Sequence, residues 1–120
     1  MKNVLRCTAV FLLCIASYQK MPIHAQAEPG VIEVHAKRFA FTPAEITLTK
    51  GETVTLSFTS DDVTHGLTIP ELGVSTEISK GKVTRIELTP QQAGTFQGRC
   101  NHFCGVGHGS MTMSVTVKEK

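Results

Sequence analysis

The sequence predicts an all-β sandwich of about seven to eight short strands, on three observations. From Val31 onward the chain divides into short segments rich in Val, Ile, Thr and Phe. Gly, Pro, Asp and Lys-Gly turns separate them, and no stretch holds helical periodicity long enough to form a helix. The clearest strand covers 53–60, where Val54, Leu56 and Phe58 alternate with Thr55, Ser57 and Thr59. That is the pattern of a strand with one face on a core and the other in water.

The same logic places strands near 31–38, 45–49, 66–69, 76–78, 83–88, 95–99 and 111–117. Lys50-Gly51 and Lys80-Gly81 supply reversals, because Gly tolerates the positive φ that a tight turn often needs. Pro43, Pro70 and Pro90 fall at strand boundaries, where a missing N–H costs nothing. Phe39, Phe41, Phe58 and Phe96 are expected in the core, and His35 is expected to be a solvated strand residue.

Residues 1–27 read differently. A basic start (Lys2, Arg6), an apolar run from Cys7 to Ala16 and the small-x-small segment Ala25-Gln26-Ala27 have the form of a cleavable export signal. The apolar run falls short of the roughly 20 residues a spanning helix needs. Phe11-Leu12-Leu13 are too bulky before Cys14 for lipid attachment. The expectation is cleavage after Ala27, a periplasmic or secreted location, and one mature domain over 28–120.

Cleavage removes Lys2, Arg6 and Lys20 and no acid, so 12 basic against 10 acidic residues becomes 9 against 10, and a net charge of +2 becomes −1. With no Lys/Arg cluster in the mature chain, nucleic acid is not an expected partner. Four cysteines become two, Cys100 and Cys104. In an oxidising compartment a disulfide between them is one open reading.

The chemistry is concentrated in the twelve residues Cys100 to Met111, which hold Cys100, His102, Cys104, His108 and Met111. Spacings of four, four and three would align Cys100, Cys104, His108 and Met111 on a helix, but Gly105, Gly107 and Gly109 would cost that helix about 1 kcal/mol each relative to Ala. A loop between two strands is therefore expected. Thiolate and thioether are soft donors and imidazole suits copper and zinc alike, so Cys, His and Met together point to copper. Zinc on Cys100, Cys104, His108 and His65 would leave Met111 unexplained as a ligand. Met111 also begins the alternation Met111, Met113, Val115, Val117, so an inward-facing core role stays open. His65 follows the clearest strand in a polar turn and precedes Gly66, which would let another loop approach closely.

With these residues in view, the sequence resembles the copper-A domain of cytochrome c oxidase subunit II, within the cupredoxin superfamily. The resemblance runs through Phe41-Thr42-Pro43, Asp62-Val63-Thr64-His65-Gly66, Gly94-Thr95-Phe96 and the C-x3-C-x3-H-x2-M loop. It implies a cupredoxin-like Greek-key sandwich and two copper ions bridged by the sulfurs of Cys100 and Cys104. It further implies imidazole ligands from His65 and His108, a weak thioether contact from Met111 and a main-chain carbonyl ligand from His102. A c-type cytochrome is the redox partner implied. The chain departs from the family in having no Trp, and at His102, where that family often carries Glu.

Rigidly held copper ligands suit single-electron transfer, with Asn101 and the Asp61-Asp62 pair as candidates to orient the imidazoles. Two other copper readings stay open: a mononuclear blue or purple centre on His65, Cys104, His108 and Met111, and a chaperone or storage protein that delivers copper to an oxidase. An enzymatic role is disfavoured, because no separate acid–base constellation or substrate domain is visible.

Overall fold

A computed structural model describes residues 30–120; the expected export signal, with Cys7 and Cys14, lies outside the described residues. Nine strands occur in chain order: β1 (Val31–Lys37), β2 (Ala40–Thr42), β3 (Glu45–Thr49), β4 (Val54–Ser60), β5 (His65–Ile69), β6 (Val74–Ile78), β7 (Thr84–Leu88), β8 (Gly94–Arg99) and β9 (Thr112–Lys118). They form two sheets, ordered β2-β1-β4-β7 and β3-β9-β8-β5-β6. The expected all-β sandwich is the fold found. The additional strand is β2, whose three residues are too few to show an alternation; it forms a hairpin with β1, pairing His35 with Thr42 and Lys37 with Ala40.

Two pairings are parallel, β1 with β4 and β3 with β9, and both join strands distant in sequence. The chain therefore crosses repeatedly between sheets, and each sheet offers one face to a shared interior. Phe41, Leu56, Phe58 and Val34 fill it from the first sheet, and Leu67, Ile69, Ile78, Val115 and Val117 from the second. Phe41 and Phe58, with exposures of 1% and 0%, each gain about 1.5–3 kcal/mol from leaving water. Gly51 and Gly81 adopt φ values of 79° and 81°, as their turns require.

Two core expectations are corrected. Phe39 is exposed because it sits in the β1–β2 turn, and its ring lies against Gly105 and Gly107 of the loop after β8. Ser57, expected on the water face, is buried because β4 runs between β1 and β7, which place Glu33 and Arg85 on either side of it. Phe96 is half-buried against the core, and His35 is partly solvated, with Nδ1 near Asp61 (3.2 Å) and the Thr59 hydroxyl (3.0 Å).

Sheet order fixes where the chemistry falls. β8 and β9 are antiparallel neighbours whose last register pair is Arg99 with Thr112, so residues 100–111 leave the sheet and return at one point. The Cys100 N–H donates to the Met111 carbonyl at 3.0 Å and pinches the loop shut at its base. β5 lies beside β8 in the opposite direction, with Thr68 opposite Arg99. Three residues back along β5 from that pair, His65 is brought to the level of the loop.

Candidate metal centre

His65 opens β5 and has no exposed surface. The turn before it is tied by its own side chains. The Ser60 hydroxyl donates to the Val63 carbonyl, and Asp62 accepts the Val63 N–H at 2.6 Å. The Asp62 carboxylate reaches forward as well: its Oδ1 lies 2.7 Å from His65 Nε2. Its Oδ2 accepts the Arg38 backbone N–H at 2.8 Å. Partial burial alone would raise the pKa of Asp62, but these donors outweigh it. The Arg38 N–H, His65 and the Val63 N–H together lower it from 3.8 to about 2. The carboxylate is therefore ionised at neutral pH, and a proton on Nε2 of His65 is the arrangement it favours.

That bond has a consequence at the other side of the ring. Nδ1 of His65 is buried and has no hydrogen-bond partner. A buried imidazole nitrogen left unsatisfied is costly in a folded protein. Its lone pair is available because the proton is held on Nε2.

Close to His65 lie the two thiols. Cys100 and Cys104 are both buried and unbonded, with their sulfurs 3.9 Å apart. A ligand atom of His65 and both sulfurs lie within 4.8 Å of one another. Burial, followed by the neighbouring Cys100, pushes the Cys104 thiol from 9.0 up to about 11, so without a cation Cys104 stays protonated at neutral pH. Two buried thiols beside a buried imidazole are a set of soft donors that fits a metal cation, which would take the place of the Cys104 proton.

The remaining sequence-predicted residues converge on the same place. Nδ1 of His108 is 3.7 Å from the Cys104 sulfur, and the Met111 sulfur is 3.8 Å from it. Met111 is fully buried, so the inward-facing position read from its strand pattern and its proximity to the thiols hold together. The His102 carbonyl lies 3.2 Å from the Cys100 sulfur, while the His102 side chain is exposed. His108 is half-buried in a single 3₁₀ turn (His108–Ser110), its ring 5.7 Å from that of Phe103.

Of the residues expected to orient the imidazoles, Asp62 does so and Asp61 does not, since Asp61 faces His35 instead. Asn101 occupies the space left by Gly66: a Cβ there would lie 1.9 Å from Asn101 Oδ1 and 3.0 Å from the Thr76 carbonyl oxygen. Sequence reasoning missed Arg38. Its Nε donates to the Cys104 carbonyl at 2.7 Å, across 66 positions of sequence. No local signal marks it, because a charged residue at the end of a strand is ordinarily just solvated. A shallow cavity of about 240 Å³, bordered by Arg38, Thr64, His102 and Phe103, opens beside Cys104.

This is a two-sheet all-β domain in which imidazole, thiol and thioether groups converge at one end of the sandwich. The cupredoxin-like domain model matches residues 5–117, and the chain belongs to that family. It is 31% identical over 96 residues to cytochrome c oxidase subunit 2 of Thermus thermophilus, covering 78% of this chain and 71% of that protein. Against a second subunit 2 sequence, from a named strain of the same organism, the 96 matched residues cover 57% of the relative.

Among solved structures, the periplasmic domain of oxidase subunit II from Bradyrhizobium japonicum superposes with a TM-score of 0.69 at 19% identity, over 76% of this chain and 85% of that one. Auracyanin A, a "blue" copper protein from Chloroflexus aurantiacus, gives 0.59 at 17% identity, over 73% and 98%. These two likenesses are of fold. The chain is thus a cupredoxin related to cytochrome c oxidase subunit 2, with a fold that it shares with auracyanin A. No helix among the described residues is long and apolar enough to cross a membrane.

Proposed function

We propose that this chain is an exported electron-transfer domain that holds two copper ions between Cys100 and Cys104, with His65 and His108 as imidazole ligands. Met111 contributes a thioether, and His102 contributes its main-chain carbonyl. When bound, copper supplies a one-electron couple; everything else in the reading concerns how the chain holds its ligands.

The observation that carries it is a fully buried His65, its Nδ1 without a partner, clustered with two unbonded thiols. His65, the base of the loop and Cys104 are each held by a different contact. Asp62 orients His65, the Cys100–Met111 backbone bond closes the loop, and Arg38 holds Cys104 from outside. Ligands restrained in this way move little when the metal changes charge, which is what rapid electron exchange requires. Phe103 and Val106 are exposed apolar residues on the same loop, and a c-type cytochrome docking over them would bring its haem to the ligand-bearing end.

Cys100 separates this reading from a one-copper centre. His65, Cys104, His108 and Met111 would complete a mononuclear site without it. Yet Cys100 is buried, its sulfur 3.9 Å from Cys104 and 3.2 Å from the His102 carbonyl, so it shares the pocket as a second thiol. Export follows from residues 1–27, which we read as a signal cleaved after Ala27, leaving a periplasmic domain over 28–120.

Stopped-flow oxidation of a reduced c-type cytochrome by the copper-loaded domain tests the function. Rapid single-electron oxidation with copper retained against a chelator is the expected result. Slow oxidation together with ready transfer of copper to a chelator or an apo-oxidase would replace electron transfer with copper delivery.

A further inference from the structure

Arg38 bridges the two halves of the centre. It lies in the turn between β1 and β2, and it belongs to neither the turn that carries His65 nor the loop that carries the thiols. Its backbone N–H donates to Oδ2 of Asp62 at 2.8 Å, while the other oxygen of that carboxylate is 2.7 Å from His65 Nε2. Its side chain turns the other way and donates from Nε to the Cys104 carbonyl at 2.7 Å.

The next residue reinforces the contact. Any Cβ at Gly107 would lie 2.5 Å from the Phe39 ring, and one at Gly105 would lie 3.0 Å from it, so the ring occupies the space these glycines leave. Among the described residues, apart from the Cys100–Met111 bond at its base, the loop's own backbone hydrogen bonds are local, such as His108 N–H to the Gly105 carbonyl and Met111 N–H to the His108 carbonyl, both one short turn long. A loop held so lightly from within depends on contacts from outside.

We propose that Arg38 is a positioning residue for the metal centre: its side chain locks the Cys104 loop against the turn that carries His65, and its fixed positive charge favours the reduced state of bound copper. The first half is independent of metal. The second rests on the electron-transfer reading above, and follows because a cation held close to the centre opposes the more positive oxidised state.

The geometry also separates the two contributions. The bond to Asp62 uses the backbone, so a side-chain substitution leaves it in place and removes only the arm to Cys104. Arg38→Lys keeps the charge but lacks the Nε–H held at a fixed position on a planar fork. Arg38→Gln removes the charge and keeps a neutral donor. Arg38→Ala removes both.

The test begins on the metal-free full-length domain, with amide hydrogen exchange. Arg38→Ala is expected to speed exchange at the His108, Ser110 and Met111 amides, which donate within the loop, about tenfold or more, while Leu56 and Phe58 in β4 stay at the wild-type rate. Equal exchange in the loop would overturn the positioning role whether or not the protein binds copper. Faster exchange throughout would show general destabilisation instead, and would equally overturn it; the less disruptive Arg38→Gln guards against that outcome arising from misfolding.

The copper-loaded variants then test the charge by voltammetry. Arg38→Gln should shift the one-electron equilibrium toward the oxidised state roughly threefold to tenfold, with Arg38→Lys close to wild type. Identical potentials in wild type, Lys and Gln variants would overturn the charge role. A wild-type domain with no reversible copper couple would remove the function on which that half rests, and the exchange result would stand by itself.

Discussion

Asp62 and His65 share a 2.7 Å contact that decides which nitrogen of the imidazole is available: Nε2 faces the carboxylate and Nδ1 is left buried without a partner, in a histidine clustered with Cys100 and Cys104. A carboxylate that orients a metal-binding histidine is expected to affect affinity almost as much as a direct ligand does. Asp62→Ala should weaken copper binding about tenfold to a hundredfold. Asp62→Asn, which keeps a side-chain oxygen, should weaken it less. Competition titration against a chelator of known affinity measures both.

The same carboxylate makes the metal-free protein sensitive to acid. Its pKa is lowered from 3.8 to about 2 by the folded structure, so the folded state favours the ionised form. The stability it contributes is present in full above the unfolded value near 3.8, and is lost as pH falls toward the folded value near 2. Urea denaturation at a series of pH values from about 5 down to about 2 should show wild type and Asp62→Asn converging toward the acid end. A stability gap that stays constant over that range would contradict the assignment.

Gly66 and Asn101 make a prediction about packing. A methyl group at Gly66 would meet the Asn101 side chain at 1.9 Å and the Thr76 carbonyl at 3.0 Å. Gly66→Ala should therefore destabilise the domain by about 1–3 kcal/mol, as overpacking does. Adding Asn101→Ala should restore part of that loss, because the amide can be removed and the Thr76 backbone cannot. Full additivity of the two changes in denaturation midpoints would show that the residues do not compete for space.

Cys100 distinguishes two copper ions from one. Cys100→Ser should abolish a two-copper centre and leave a one-copper centre based on Cys104. Metal analysis and the visible spectrum of the variant check this directly. A variant with native copper content and a native spectrum would rule out a bridging role for Cys100.

Much of this was legible in the sequence, for reasons particular to each element. Alternation in 53–60 identified β4 because seven residues suffice to show a period of two. It failed for β2, which has three. The loop residues were legible because Cys, His and Met have few common roles when crowded together, and three intervening glycines excluded a helix. Asp62 was visible as a neighbour in sequence, but its choice over Asp61 depended on which way the turn closes. Arg38 and Phe39 were not legible at all. Their partners Cys104, Gly105 and Gly107 lie far along the chain, and only the sandwich brings them together. Phe39 therefore read as a core aromatic, when it is a cover over the loop.

Whether Cys100, Cys104, His65 and His108 hold two copper ions as one electron-transfer centre is decided by copper stoichiometry combined with electron paramagnetic resonance. Both are measured on the reduced and reconstituted domain beginning at Glu28. Two coppers per chain sharing one unpaired electron are the expected result. One copper per chain with a localised signal would contradict it and indicate a mononuclear centre on His65, Cys104, His108 and Met111.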